Sequence, residues 1–205
     1  MTRAIAYIDG FNLYHAIDDL NKPHLKWLDL WALSASLARE GEFLAKVYYF
    51  SAYPTWKPES EKRHRMYVRA LTAQGVTCHL GHFKRKDKRC NKCGAAWTGH
   101  EEKETDVHMG ARIVADAYED SFDRAIIITA DSDLLPAIKI VRAAFPAKEL
   151  FVAAPPKRMT HARGLTPQLE ITQGRLAKCR LPESVTEPDG LTVFQCPPSY
   201  VLPGT

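Results

Sequence analysis

The sequence predicts an α/β fold, a three-layer α/β/α sandwich around a central, mainly parallel sheet. Apolar runs rich in β-branched residues, such as residues 4–8 and 126–129, alternate along the chain with segments whose apolar residues recur at helical spacing. Strands that alternate with helices form a parallel sheet that the helices cover on both faces. At 205 residues the chain is long enough to bury a complete core of this kind.

Each element follows from a local signal. The predicted strands cover residues 4–9, 43–53, 76–83, 125–130 and 149–153. Apolar spacing predicts a helix that follows the first strand through residue 20, and further helices over residues 30–37, 58–73, 104–118 and 133–145. Pro54 ends the second strand, and Gly75 ends the helix that precedes the third.

We expect one domain over residues 1–178, with a basic insertion at about residues 84–100. The remaining residues, 179–205, are rich in proline and predict a loosely ordered extension, in which Val193 and Phe194 are candidates for a docked short strand.

Composition and charge exclude several classes of protein. No stretch approaches the roughly 20 apolar residues of a membrane span, and the chain enters a strand at once, without a signal-peptide pattern. A cytoplasmic location is therefore expected. Five cysteines form an odd set, so a disulfide framework is not expected. The net charge of +4 is too mild to indicate a nucleic-acid partner by itself.

Four aspartates lie where predicted strands end or helices begin. Asp9 ends the first strand, Asp106 opens a helix, and Asp131 and Asp133 follow the run at residues 126–129. The crevice beyond the carboxyl ends of parallel strands is where ligands bind, so these side chains are expected to converge there. Converging carboxylates need a cation, and oxygen ligands suit Mg²⁺ or Mn²⁺. Asn12 adds an amide close to Asp9. Alternatively, each aspartate only caps the helix that follows it.

The insertion contains a Cys-x-x-Cys-Gly sequence with the spacing of a zinc knuckle, formed by Cys90 and Cys93. Two more ligands are needed, and the candidates within reach are His100, His82, His79 and Cys78. The favoured zinc set is Cys90, Cys93, His100 and His82. A redox pair or two unliganded surface thiols are the alternatives.

The same insertion is strongly basic. Its six basic residues are Lys84, Arg85, Lys86, Lys88, Arg89 and Lys92. A charge run of this kind is often only a solvated surface, but beside an acidic metal centre it indicates a polyanionic phosphodiester substrate. Three aromatic residues in loops or at strand ends, Trp97, Tyr53 and Trp56, are candidates for stacking on the bases of a single strand.

Three motifs together resemble the NYN domain family, a branch of the PIN-like nuclease superfamily. They are Tyr7-Ile8-Asp9-Gly10-Phe11-Asn12-Leu13, Glu101-Glu102-Lys103-Glu104-Thr105-Asp106-Val107 and Ile128-Thr129-Ala130-Asp131-Ser132-Asp133-Leu134. The Cys-x-x-Cys insertion is similar to that of a bacterial subgroup of the family. The resemblance implies a PIN-like fold and a ribonuclease site in which Asp9, Asp106 and Asp131 bind Mg²⁺ or Mn²⁺, and Asn12 and Asp133 complete the pocket.

The function expected from these features is metal-dependent hydrolysis of RNA by an activated water. The partner expected is RNA, single-stranded rather than duplex, with no membrane, and a homo-oligomer is left open. The alternative is a non-catalytic RNA-binding or regulatory module of the same fold, although a pure binder gains nothing from carboxylates that repel phosphate. A phosphatase is disfavoured because it needs a second acid two residues after the first aspartate, and Phe11 stands there.

Overall fold

The computed structural model describes residues 1–202 and has a seven-stranded sheet at its centre. The strands of this sheet are β1 (Thr2–Asp9), β2 (Glu42–Ala52), β3 (Thr77–Arg89), β4 (Ala96–Lys103), β5 (Arg124–Ile128), β6 (Glu149–Ala154) and β7 (Leu169–Glu170). Their order across the sheet is β4-β3-β2-β1-β5-β6-β7, and all neighbours are parallel except β3 and β4. The predicted α/β class and mainly parallel sheet are confirmed.

Helices cover both faces of the sheet. They are α1 (Gly10–Asp18), α2 (Leu30–Ala35), α3 (Pro58–Ala73), α4 (Thr105–Tyr118), α5 (Leu135–Ala144) and α6 (Gln173–Lys178). Short 3₁₀ turns lie at Pro23–Lys26, Ser132–Leu134, His161–Leu165 and Pro198–Tyr200. No helix among residues 1–202 is both long and apolar enough to cross a membrane.

The core is divided by β1, whose successive side chains point to opposite faces of the sheet. Ala6 and Ile8 belong to one apolar cluster, which α1, α2, α3 and α6 cover. Ile5 and Tyr7 belong to the other, which α4 and α5 cover. Each cluster is continuous from sheet to helices, so the three layers predicted from the sequence are present.

The basic insertion is a β-hairpin rather than a loop. The third strand was expected to end at residue 83, but β3 continues to Arg89 and pairs with β4 in antiparallel register from His82 opposite Lys103 to Arg89 opposite Ala96. The extension of β3 carries mostly charged side chains, so it lacks the apolar pattern from which strands are predicted. The ladder with β4 forms nevertheless, because it depends only on backbone groups. We call residues 82–103 the basic hairpin.

The C-terminal segment packs against the α1 side of the core. A two-stranded antiparallel ladder joins β8 (Ser184–Thr186) to β9 (Val193–Gln195), which contains the two residues expected to dock as a strand. Phe194 and Tyr200 are buried in the same cluster as Trp27. Residues 203–205, including Pro203 of the predicted extension, lie outside the described residues.

Candidate active site

The predicted site residues meet at the carboxyl edge of the sheet. β1 and β5 are parallel neighbours with Ile8 beside Ile128, so Asp9 and the loop carrying Asp131 leave the sheet at the same level. β4 runs in the opposite direction and returns the chain to this edge, where α4 begins and places Asp106 in its first turn.

Asp9 is held by two hydrogen bonds and is only 7% exposed. Its Oδ1 accepts from the backbone N–H of Asn12 at 2.9 Å, and its Oδ2 accepts from the Thr129 hydroxyl at 2.8 Å. The Thr129 Oγ1 in turn accepts from the backbone N–H of Asp131 at 3.0 Å. One threonine at the end of β5 therefore fixes two of the predicted metal-binding aspartates relative to each other.

Asn12 ties the same two loops together. Its side-chain oxygen accepts from the backbone N–H of Ala130 at 3.2 Å, which links α1 to the segment that carries Asp131. Asp131 caps the following 3₁₀ turn, with its Oδ1 accepting from the N–H of Asp133 at 2.9 Å. Asp9 and Asp131 thus have the capping roles considered from the sequence, and both also lie at the same edge of the sheet.

Glu102 is a fifth carboxyl group at this edge, and the sequence did not single it out. It lies on β4 opposite Phe83, and its Oε1 is buried without a hydrogen-bond partner. Burial, with repulsion from Asp106, Asp9 and Asp131, raises the pKa of Glu102 to about 8. The sequence feature that could have indicated Glu102 is its place inside the middle motif. The alternation of side chains along β4 is needed to show that Glu102 points toward the site.

Raised pKa values accompany the placement of these groups at one edge of the sheet. Burial, with smaller contributions from Asp106 and Asp131, raises the pKa of Asp9 to about 7. The pKa of Asp106 is raised by burial and by repulsion from Asp131 and Asp133. We call Asp9, Glu102, Asp106, Asp131 and Asp133 the acidic centre.

The acidic centre fits a hard divalent cation in the chemistry of its donors. All of its side-chain ligands are oxygens, and the buried, unpartnered Glu102 oxygen is a polar atom that an ion or its water would satisfy. Among residues 1–202, no three histidine, cysteine, aspartate or glutamate side chains form a ready-made metal cluster. Mg²⁺ is commonly bound by one or two carboxylates with waters and substrate phosphate supplying the rest, so the donors present suit it.

Glu104 lies just ahead of Asp106, between β4 and α4. Its backbone has φ of 81°, in the left-handed region, and its carboxylate lies 3.3 Å from Nδ1 of His82. This conformation lets the chain reverse sharply from β4 into α4.

The basic hairpin has two different faces. Residues directly opposite in an antiparallel ladder share a face, so Arg85 and Arg89 lie on the face of Phe83, His100 and Glu102. Phe83 contacts Phe11 of α1 at 5.9 Å between ring centroids, so this face looks toward the site.

The lysines lie on the opposite face. Lys84 lies there opposite Glu101, Lys86 opposite Gly99 and Lys88 opposite Trp97. The Glu101 carboxylate lies 2.9 Å from the Lys86 ammonium and 3.6 Å from that of Lys88, so part of this charge is already paired. Lys92 lies in the turn at the tip. The six predicted RNA-binding residues are therefore not equivalent.

We expect Arg85→Ala to weaken binding of single-stranded RNA more than Lys86→Ala does. Arg85 faces the site, and its nearest acidic neighbour, Asp87, lies 3.5 Å away on an exposed part of the strand. Loss of one phosphate contact to a single strand should lower the slope of log Kd against log salt by about 0.7. Fluorescence anisotropy with a labelled RNA across a salt series measures both variants. Equal effects would mean that the two faces do not differ in RNA binding.

The structure does not assemble the predicted zinc ligands. Backbone N–H groups of Cys93 and Lys92 donate to the Cys90 sulfur and lower its pKa, so the two cysteines lie close together in the turn. His100 lies opposite Arg85, five residues before Cys90, which is roughly 17 Å along a strand. Its ring stacks on Trp56 with centroids 3.8 Å apart.

His82 lies on β3, eight residues before Cys90, and its side chain is on the other face of the hairpin from that of His100. Its Nδ1 lies beside Glu104, as described above. An extended hairpin separates residues that a compact loop would bring together, and this is why the two histidines lie away from the cysteine pair. All five cysteines are unbridged thiols.

In the metal-free protein we expect stability to fall as the pH rises from 6.5 to 8.5. The raised pKa values of Asp9 and Glu102, about 7 and 8, mean that the folded protein keeps protons that the unfolded chain has already lost near pH 4. Their stabilising effect is complete below the ordinary carboxyl pKa and is lost as the pH rises through 7 and 8. Burial lowers the pKa of His64 to about 4, which acts in the opposite direction but only below pH 6.5.

Thermal unfolding in EDTA across this pH range measures the effect. Added Mg²⁺ should raise the unfolding midpoint most at pH 8.5, where the carboxylates are ionised, and least at pH 6.5. A midpoint that is flat with pH and indifferent to Mg²⁺ would contradict the geometry of the acidic centre.

The sheet and the acidic centre at its carboxyl edge define the class of protein, a PIN-like α/β domain. The chain belongs to the NYN domain family, whose family model matches residues 3–163. Members of this family are generally ribonucleases that use Mg²⁺ or Mn²⁺.

Two further comparisons place the chain among known proteins. It is 24% identical to 6-hydroxy-3-succinoylpyridine 3-monooxygenase HspA of Pseudomonas putida (strain DSM 28022 / S16), over 89% of this chain and 71% of that protein. It also resembles the crystal structure of a protein of unknown function from Vibrio parahaemolyticus RIMD 2210633, with a TM-score of 0.51 and 15% identity over 83% of this chain and 91% of that one. At this identity the second similarity concerns the fold alone.

Proposed function

We propose that the protein is a divalent-metal-dependent ribonuclease that hydrolyses phosphodiester bonds of single-stranded RNA. The observation that carries the proposal is the convergence of five carboxyl groups from four separate segments at one edge of the sheet. Such a cluster repels phosphate unless a cation lies within it, so it suits catalysis rather than simple binding. Membership of the NYN family supports the same reaction.

In this proposal Asp9, Asp106 and Asp131 hold Mg²⁺ or Mn²⁺, and Asp133 and Asn12 complete the pocket. The bound ion would lower the pKa of a water molecule and offset charge on the leaving oxygen. The protein's own contribution is to hold the metal-binding side chains in fixed positions. Thr129 holds Asp9 and the Asp131 backbone together.

The test is cleavage of a generic single-stranded RNA by the purified protein in Mn²⁺, in Mg²⁺ and in EDTA. Cleavage that requires the ion supports the ribonuclease. Binding of RNA without cleavage under all three conditions would replace it with the non-catalytic RNA-binding module.

A second candidate function is oxygenation of a small aromatic molecule. The observation that favours it is a largely apolar cavity at the start of α1, together with the name of the relative from Pseudomonas putida. A monooxygenase inserts one atom of O₂ into its substrate and reduces the other to water with two electrons from an external reductant. Consumption of O₂ that depends on 6-hydroxy-3-succinoylpyridine and on a supplied two-electron reductant would support it, and no consumption with any reductant would remove it.

Zinc binding by Cys90, Cys93, His100 and His82 stays a prediction, and it would require the hairpin to change shape so that the two histidines reach the cysteine pair. Metal analysis of the purified protein, with a Cys93→Ser variant as control, tests it.

A further inference from the structure

A cavity of about 280 Å³ lies at the start of α1, next to the residues that follow Asp9 in the chain. Gly10 and Phe11, which follow Asp9 at the start of α1, line it on one side, and residues from the end of β2 and the first turns of α3 line it on the other. Gly10, which lines the cavity, is the next residue in the chain after Asp9, the most buried aspartate of the site.

One wall of the cavity is a layer of stacked rings. Trp56 and the His100 ring lie face to face, with centroids 3.8 Å apart and an angle of 3° between their planes. Phe83 meets Trp56 edge-on at 4.6 Å and leans on Phe11 at 5.9 Å. These rings come from four distant parts of the chain, and packing against one another holds them in fixed orientations. Aromatic ring faces of this kind stack on planar heterocycles.

The interior of the cavity holds a small set of neutral polar groups. The His64 Nε2 lies 3.3 Å from the Tyr49 hydroxyl and 3.4 Å from the Ser51 hydroxyl. Burial lowers the pKa of His64, so the ring is uncharged at neutral pH. An imidazole and two hydroxyls can each donate or accept, which suits the mixed donor and acceptor edge of a nucleobase.

The charges around the cavity are positive. Lys26, Lys57 and Arg63 contribute to the lining, and no aspartate or glutamate does within the described part of the chain. Lys26 is already paired with Asp18, whereas Arg63 keeps a buried Nε without a hydrogen-bond partner. An anion attached to the heterocycle would meet compensating charge here.

We propose that this cavity binds one unpaired nucleobase of an RNA strand and so sets the position of the adjacent phosphodiester at the acidic centre. The proposal rests on the ribonuclease function proposed above and adds to it a base-binding subsite. Enzymes that act on nucleic acids commonly hold an unstacked base between aromatic side chains and contact its polar edge with hydrogen bonds. A duplex cannot offer a base in this way, so the subsite also selects single strands.

The experiment measures binding of nucleoside 5′-monophosphates to the whole protein in EDTA, by quenching of tryptophan fluorescence and by calorimetry. Ribose 5-phosphate is the matched ligand that keeps the phosphate and lacks the base. We expect the nucleotides to bind at least tenfold more tightly than ribose 5-phosphate. Equal binding of the two would overturn the proposal because it would show that only the phosphate is recognised, and preference for an aromatic carboxylate such as nicotinate would overturn it in favour of the second candidate function.

A variant that fills the cavity localises the binding. Ser60 lines the cavity in the first turns of α3, and Ser60→Phe is expected to weaken nucleotide binding at least tenfold. Glu59→Phe adds the same ring in the same turn of α3 but outside the cavity lining, and it should keep binding within about twofold. Unchanged binding in Ser60→Phe would place the nucleotide elsewhere and overturn the proposal.

Failure of this inference is distinguishable from failure of the ribonuclease function. Nucleotide binding is measured without metal and without cleavage. If RNA is cleaved with an unchanged KM by Ser60→Phe, the subsite is wrong and the nuclease stands. If nucleotides bind in the cavity but no RNA is cleaved, the subsite stands and the nuclease function is wrong.

Discussion

Replacing Asp9 by asparagine is expected to reduce metal-dependent RNA cleavage on the order of 100- to 1000-fold while the protein stays folded. Asparagine is as good an N-cap as aspartate, and its side-chain oxygen can still accept from the N–H of Asn12. The change therefore removes a negative charge from the acidic centre and leaves the start of α1 intact. Single-turnover cleavage of a labelled RNA in saturating Mn²⁺ measures the loss.

Asp29→Asn is the matched control. Asp29 is also an N-cap aspartate, whose Oδ1 accepts from the N–H of Ala32 at 2.8 Å at the start of α2, but it is not part of the acidic centre. It should cleave RNA at the wild-type rate. At pH 8 in EDTA, Asp9→Asn should be at least as stable as wild type, because it removes a buried charge. Wild-type cleavage by Asp9→Asn would refute the assignment of Asp9 as a metal ligand.

The aspartates of the site could be predicted because they depend on local rules. Asp9 and Asp131 end apolar runs, and parallel strands end at one edge, so their meeting follows from the fold class alone. The structure places both at that edge and links them through Thr129. The link itself was not predictable, since a threonine at a strand end gives no sign of which carboxylate it will contact.

The positions of Glu102 and His100 could not be predicted from the sequence. Both lie on β4, a strand whose pairing with β3 depends on backbone hydrogen bonds and leaves no apolar pattern. Once that pairing is known, Glu102 turns to the acidic centre and His100 to Trp56, which is 44 residues earlier in the chain. A prediction that treats the segment as a loop keeps His100 near the cysteines, and this is why it was chosen as a zinc ligand.

The stacked rings that line the cavity also depend on tertiary structure and could not be predicted as a group. Trp56 was a stacking candidate because it follows a strand, but its partners His100 and Phe83 are set by tertiary structure. Cavities form between elements that are distant in sequence, so their shape becomes visible only when the layers are assembled.

The largest effect on stability is expected for Gly10→Ala. A Cβ at this position would lie 2.3 Å from Cε2 of Tyr49 and 2.7 Å from the backbone oxygen of Phe50. The Phe50 carbonyl belongs to β2, which is hydrogen-bonded on both sides, so it cannot retreat without disturbing the sheet. Overpacking of a core costs 1–3 kcal/mol and occasionally more, and with backbone as the obstacle we expect a loss of about 3 kcal/mol or more in the free energy of unfolding.

Urea unfolding measures this loss, and Gly174→Ala provides the control. Gly174 lies in α6 with no atom near its potential Cβ, so alanine should raise stability by about 0.5–1 kcal/mol through helix propensity. Gly10→Ala should also lower cleavage, because the clash falls between Asp9 and the Tyr49 wall of the cavity and displaces one from the other. A Gly10→Ala protein with wild-type stability would contradict the close approach of α1 to β2 at Gly10.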